Sequence, residues 1–522
     1  MSPLRVPLKD ALLLWMILAL ECSVGMAQTP SVRPEREITP QTVALSVPLG
    51  QNEPPLEMTI QQLMDTFKVP GLSVAVIDNY KVAWARGFGV TEPGGTKPVA
   101  TRTLFQAGSI SKPVAAAGAL WLVEHGQLSL DEDVNKKLKT WKVPENEFTA
   151  TQKVTLRRLM SHSAGLTVHG FPGYAVGEAV PTLPEIFNGE KPANTPAIRV
   201  DFVPGTKMRY SGGGVTVEQQ LVIDVTGKPF PEFMRETVLE KAGMTNSTYE
   251  QPIPAARAAL TATGTRADGT PVAGKWHIYP EMAAAGLWTT PTDLAKFAIE
   301  IALSKQDKAN HILSEKMTRE MLTRQVDGDG GPVGLGFFLG DELHPDQFGH
   351  NGADEGFQAS LVMFADSGQG VAIMGNSDTF FHVAPYVQEA IGKAYGWKHP
   401  EQSHFAGDLL VLLESLKGTK AALDVYQQIK AGAVRGYKAD EPALNTLGYW
   451  LLGQKKIDDA VKVFQLNVRE YPNAWNCYDS LAQGYMSAGQ KELAIEYYEK
   501  SLKLNPQNTN GTEMLKKLRA EK

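Results

Sequence analysis

Ser109 and Lys112 stand three residues apart in the stretch FQAGSISKPVAAAGAL, residues 105–120. A serine hydroxyl is a weak nucleophile until a base takes its proton. A lysine amine can be that base only where burial and neighbouring cations leave it neutral. At i and i+3 of a helix the two side chains share one face. Such a pair would attack an electrophilic centre through the Ser109 oxygen while Lys112 moved the proton. The spacing alone is weak, since a chain of this length should hold on the order of one Ser-x-x-Lys by chance.

The elements that must position the pair can be read around it. TRTLFQAG (101–108) ends as a strand-like run at Gly108. SISKPVAAAGALWLVEHG (109–126) then reads as an apolar, Ala-rich helix closed by His125 and Gly126. Ser109 falls at the helix start, where Pro113 is tolerated because first-turn amides lack intrahelical partners. The positive potential of that terminus favours a developing anion. A G-x-S-x-G nucleophile elbow is excluded, because Ala107 occupies the place of the first glycine.

Two further segments carry chemistry. MRYSGGG (208–214) places Tyr210, Ser211 and Gly212 in a loop before the helical pattern VTVEQQLVIDVTG (215–227). FGHNGADEGF (348–357) places His350, Asn351 and Gly352 on a strand. With LMSHSAGL (159–166), VLEKAGMTNSTY (238–249) and AAGLWTTPTDLAKF (284–297), these segments resemble the serine β-lactamase and penicillin-binding-protein superfamily over roughly residues 55–397. The resemblance is to its class C-like branch, which includes D-aminopeptidases, D-Ala carboxypeptidases and family VIII esterases.

The resemblance implies that Ser109 is the acyl-accepting nucleophile and that Lys112 and Tyr210 form its proton-transfer network, Tyr210 as an anion held by Lys112. It implies an oxyanion hole from the backbone amides of Ser109 and Ala353. Gly212, His350 and Gly352 become candidate substrate-binding positions, with glycine at 352 allowing close approach to that strand. Two residues depart from the pattern. Gly212 stands where the family commonly has Asn, so another group must orient the lysine. His350 stands where β-lactamases usually carry Lys, and a mostly neutral imidazole attracts a substrate carboxylate less. Asp354 and Glu355 could hold a substrate ammonium or be an ordinary loop pair. His162 and His169 read as structural, since a Ser/Lys/Tyr set needs no histidine base, and Ser211 reads as a loop residue.

Composition agrees with a globular protein and excludes several classes. The chain has 522 residues, 43% hydrophobic and 21% charged, with a net charge of −6. That length implies at least two domains. No basic run could neutralise a nucleic-acid backbone. No Cys/His cluster at zinc spacing or convincing phosphate loop calls for a metal or cofactor. Arg5 and Lys9 precede the short apolar run ALLLWMILAL (11–20), and Gly25 and Ala27 follow at cleavage-site positions. This is the pattern of a signal peptide over 1–27, which predicts an exported, periplasmic or extracellular protein without a stable membrane span after cleavage. Cleavage would leave Cys477 alone, so no intrachain disulfide is expected.

Residues 28–54 are rich in Pro and polar residues and read as a linker or arm. Residues 55–400 read as an α+β domain, an antiparallel sheet flanked by helices with a mostly helical subdomain. LSVAVI and KVAWARGFGV form a hairpin across Asp78-Asn79-Tyr80, and a helix is expected from about Met58 to Pro70. Thr290, Pro291 and Asp293 read as a helix start. Residues 405–522 read as an all-α repeat segment. Ala460, Phe464 and Pro472 recur 34 residues later as Ala494, Tyr498 and Pro506, and Leu447-Gly448 as Leu481-Ala482. This period resembles the tetratricopeptide repeat, with AALDVYQQI (421–429) a degenerate earlier copy. Two clear copies are few for a free-standing solenoid, so the segment should lean on the preceding domain.

The leading expectation is a secreted serine hydrolase acting on a peptide, amide or ester. One alternative is an active class C-like β-lactamase. Another is a non-catalytic binding or sensor protein that works through a protein partner of the repeats.

Overall fold

A computed structural model describes residues 45–47, 54–328, 330–399, 404–434 and 436–520. The expected signal peptide and nearly all of the 28–54 segment lie outside them. Among the described residues no helix is long and apolar enough to cross a membrane.

Asn79 and Tyr80 both adopt left-handed backbone, φ 51 and 57, which sets a two-residue turn whose twist matches its flanking strands. It joins β1 (Gly71–Asp78) to β2 (Lys81–Gly89), the expected hairpin. Six later strands complete the sheet: β3 (Val326–Gly328), β4 (Gly331–Val333), β5 (Phe338–Leu339), β6 (Gln347–Asp354), β7 (Phe357–Phe364) and β8 (Gln369–Gly375). The order is β2-β1-β8-β7-β6-β5-β4-β3, antiparallel throughout. The first and last segments meet one strand in from the β2 edge, where Ala75 of β1 faces Ala372 of β8. On β6, strand β5 reaches only Phe348 and Gly349, so from His350 onward the outer edge of β6 has no strand partner among the described residues.

Helix α1 (Ile60–Thr66) starts two residues later than expected. Met58 is instead paired in a two-stranded sheet with Leu45, and Thr59 forms a capping box with Gln62. Helix α2 (Ser111–Glu124) follows a single 3-10 turn, Gly108–Ile110, which carries Ser109. It is buried from Ser111 to Leu120, as a helix apolar on every side must be. Helix α3 (Gly212–Thr226) begins three residues before the apolar pattern, because Ser211 caps it by accepting the Gly214 N–H at 2.9 Å. Helix α4 (Pro291–Ser304) has the expected Thr290 cap and packs on one face of the sheet. Helix α5 (Ala384–Tyr395) lies on the other face, where Trp84 of β2 donates to the Tyr395 hydroxyl at 3.0 Å.

Among the described residues seven helices follow: α6 (Ala406–Lys417), α7 (Thr419–Lys430), α8 (Glu441–Gly453), α9 (Ile457–Glu470), α10 (Trp475–Ser487), α11 (Lys491–Leu504) and α12 (Thr509–Ala520). The small residues of the repeat serve packing. A Cβ on Gly448 would lie 2.3 Å from the fully buried Phe464 ring, so only glycine lets α8 and α9 approach this closely. Helix α6 is buried from Ala406 to Glu414, and Trp450 of α8 meets Phe67 edge-on at 6.1 Å.

Candidate active site

Ser109, Lys112, Tyr210, His350, Gly352 and Ala353 converge on a cavity of about 1000 Å³. Gly212 is not among its lining residues. Lys112, 3% exposed, donates from Nζ to Ser109 Oγ at 2.8 Å and to the Ala284 carbonyl at 2.7 Å. That carbonyl holds the amine beside the Ser109 hydroxyl. A Cβ on Gly212 would meet the His169 carbonyl at 3.0 Å and the Phe171 ring at 3.1 Å. The start of α3 is therefore packed against protein rather than open to a ligand.

Gly352 serves the scaffold more directly than expected. A Cβ there would lie 1.9 Å from the Ala107 oxygen and 3.1 Å from Ser109 N. A Cβ on Gly108, at φ 50, would lie 2.4 Å from Ala353 N. The two glycines let the serine turn and β6 press backbone to backbone. This brings the Ser109 and Ala353 amides into one corner.

Tyr210 sits with Lys112 Nζ 5.0 Å from its ring centroid. Its ring packs against His162 at 4.3 Å and His169 at 4.9 Å. His162 does more than fill space. Its carbonyl accepts the Arg209 N–H at 2.8 Å and its Nδ1 accepts the Ser211 N–H at 3.2 Å, so it grips both neighbours of Tyr210. The residue holds this pose at φ 57, a conformation costly for most side chains. Burial, reinforced by Lys112 and His350, holds its pKa well below the ordinary histidine value, so it is neutral. The sequence signal was only the LMSHSAGL segment; the grip spans 49 positions and depends on a turn that composition does not reveal.

His350 is 5% exposed, and its Nδ1 lies against the Asn351 carbonyl. Burial first, then Lys112, pushes its pKa down to about 3. At neutral pH it brings no positive charge to the cavity. Arg209, also in the lining, is tied to Asp201 at 2.6 Å. Asp354 is buried with its pKa raised well above the carboxylate range, chiefly by desolvation, and Glu355 is paired with Arg266 at 2.7 Å. Neither presents a free carboxylate to a substrate ammonium. Glu218 of α3, wholly buried, is pushed up to about 8 by desolvation against an opposing pull from Lys112.

The chain matches the Beta-lactamase family over residues 56–395 and a tetratricopeptide repeat over residues 475–508. A Pseudomonas fluorescens protein named Beta-lactamase is 27% identical over 245 residues, 46% of this chain and 62% of that protein. The chain thus spans less than two thirds of that relative, as it does for a second Beta-lactamase from Lysobacter lactamgenus, 29% identical over 258 residues, 48% of this chain and 60% of that protein. The solved structure of the octameric penicillin-binding protein homologue from Pyrococcus abyssi superposes with a TM-score of 0.53 at 24% identity, covering 66% of this chain and 77% of that one. A fold shared with that structure, and a family match spanning every residue of the Ser109 cavity, make the chain a member of the beta-lactamase family of serine hydrolases, carrying tetratricopeptide repeat sequence at its C-terminal end.

Proposed function

We propose that the chain is an exported hydrolase that forms an acyl-enzyme on Ser109 and acts on esters or amides lacking a carboxylate next to the scissile bond. The observation that carries this reading is the 2.8 Å contact between Ser109 Oγ and Lys112 Nζ inside the cavity. Lys112 takes the hydroxyl proton as Oγ bonds to the substrate carbonyl carbon. The amides of Ser109 and Ala353 stabilise the resulting oxyanion. The bond to the leaving group then breaks, and Lys112 returns the proton to that group through Tyr210. Water attacks the acyl carbonyl by the same route in reverse, freeing the acid and Ser109. In this reading residues 55–400 are the hydrolase domain, and the signal-like segment 1–27 directs export.

His350 supports the preference for substrates without a carboxylate. Its neutral, buried imidazole leaves no cation where a lysine would draw in a penicillin. Phe171, Met208, Phe338 and Leu339 make much of the remaining wall apolar. The test compares kcat/KM for a neutral activated ester, the same ester bearing a carboxylate, and benzylpenicillin. The neutral ester should be turned over fastest, and His350→Lys should shift the preference toward the carboxylate. Faster turnover of penicillin than of the neutral ester would make the chain a β-lactamase instead.

A further inference from the structure

Residues 380–388 face two ways. Phe381, Ala384, Pro385 and Gln388 line the Ser109 cavity. Between them, His382 Nδ1 meets Asp408 Oδ1 of α6 at 2.6 Å, and the Tyr386 phenol meets that of Tyr437. One short segment is thus cavity wall on one side and docking face for the helical repeats on the other.

The contact is built as a fixed joint. Asp408 is 7% exposed, and His382 stacks on the fully buried Phe67 at 5.2 Å and 20°. Phe67 in turn meets Trp450, whose indole donates to Glu414 of α6 at 3.1 Å. Lys456 closes the same carboxylate at 2.5 Å. On the cavity side, the Phe381 N–H donates to Gln358 of β7 at 3.2 Å. Breaking the joint leaves a buried carboxylate short of its partner, so the segment and α6 hold their positions together.

The geometry points to the repeat segment as a structural part of the substrate pocket, with Asp408 and His382 as positioning residues for the wall that receives the part of the substrate remote from the scissile bond. The inference rests on the proposed hydrolase reading of the Ser109 cavity. It assigns the repeats a task inside the enzyme, alongside any partner they bind.

The test uses the full chain and its Asp408→Ala variant with p-nitrophenyl acetate and p-nitrophenyl octanoate, together with hydrogen exchange of residues 380–388. The variant should exchange faster in that segment and show KM for octanoate raised roughly fivefold or more, while acetate turnover and Ser109 labelling by a small fluorophosphonate stay unchanged. Asp408→Asn, whose amide oxygen still accepts from Nδ1–H, should restore the octanoate KM. If Asp408→Ala does not fold, His382→Phe keeps the stacking on Phe67, loses only the polar contact, and carries the same expectation. Unchanged exchange, or an unchanged octanoate KM in a folded variant, overturns the inference. Absence of any Ser109 adduct in the wild type would instead sink the hydrolase reading, and the exchange result alone would then decide whether the repeats brace the wall.

Discussion

Gly352→Ala tests the backbone contact that holds the nucleophile in place. The new methyl would sit 1.9 Å from the Ala107 oxygen and 2.9 Å from its carbonyl carbon. To reach even 3.0 Å, β6 and the serine turn must part by about 1.1 Å, a large movement in a close-packed interior. Overpacking of this kind costs about 1–3 kcal/mol of stability. A misplacement of about 1 Å between nucleophile and oxyanion donors lowers the rate by roughly a hundredfold. The assay is the Ser109 acylation rate with an activated ester, beside a denaturant titration. Gly453→Ala is the control, since Gly453 ends α8 with nothing within 4 Å of its added Cβ and should leave acylation untouched. A Gly352→Ala protein that acylates at the wild-type rate would show that the serine turn and β6 are not held in register by this contact.

Further expectations concern groups buried around Lys112. His162→Ala, read by kcat on a small ester, should lose about tenfold or more, whereas His162→Asn, which tolerates left-handed backbone and keeps an acceptor for the Ser211 N–H, should lose less. Equal loss in both variants would mean the grip on Tyr210 is not what matters. Glu218 has a folded pKa of about 8 against 4.5 when exposed, so the folded state holds its proton longer and stability falls as pH rises between those values. Glu218→Gln should therefore gain on the wild type in a thermal melt at pH 8 and not at pH 4. His350 runs the other way: with a folded pKa of about 3 against 6.5, its contribution is complete above pH 6.5 and is lost as pH falls toward 3. His350→Gln should flatten the melting temperature across that interval, and an unaltered slope would contradict the burial argument.

Local signals were legible in the sequence because their physics is local. The Thr290 cap, the Asp78-Asn79-Tyr80 turn and the one-turn spacing of Ser109 and Lys112 each involve neighbours a few positions apart. The 34-residue recurrence of Ala460 and Phe464 was legible for a similar reason, since each repeat packs mainly on the next. What stayed hidden is set by contacts between distant segments. Ala284 orients Lys112 from 172 positions away, and a carbonyl leaves no mark in residue type. Gly352 was read as room for a ligand, whereas most of that room is taken by Ala107. Met58 was read into a helix because its apolar spacing fits one, but pairing with Leu45 draws it into a strand. The His382–Asp408 joint combines two residues with no motif of their own.

The central claim is that Ser109 is acylated and released. Intact-mass measurements over time on the wild type and Ser109→Ala, with a fluorophosphonate, a neutral activated ester and benzylpenicillin, test it most directly. The account predicts a single Ser109-dependent adduct with the fluorophosphonate, a transient one with the ester, and slow or no turnover of the penicillin. No adduct with any of the three, or adducts that persist in Ser109→Ala, would contradict it.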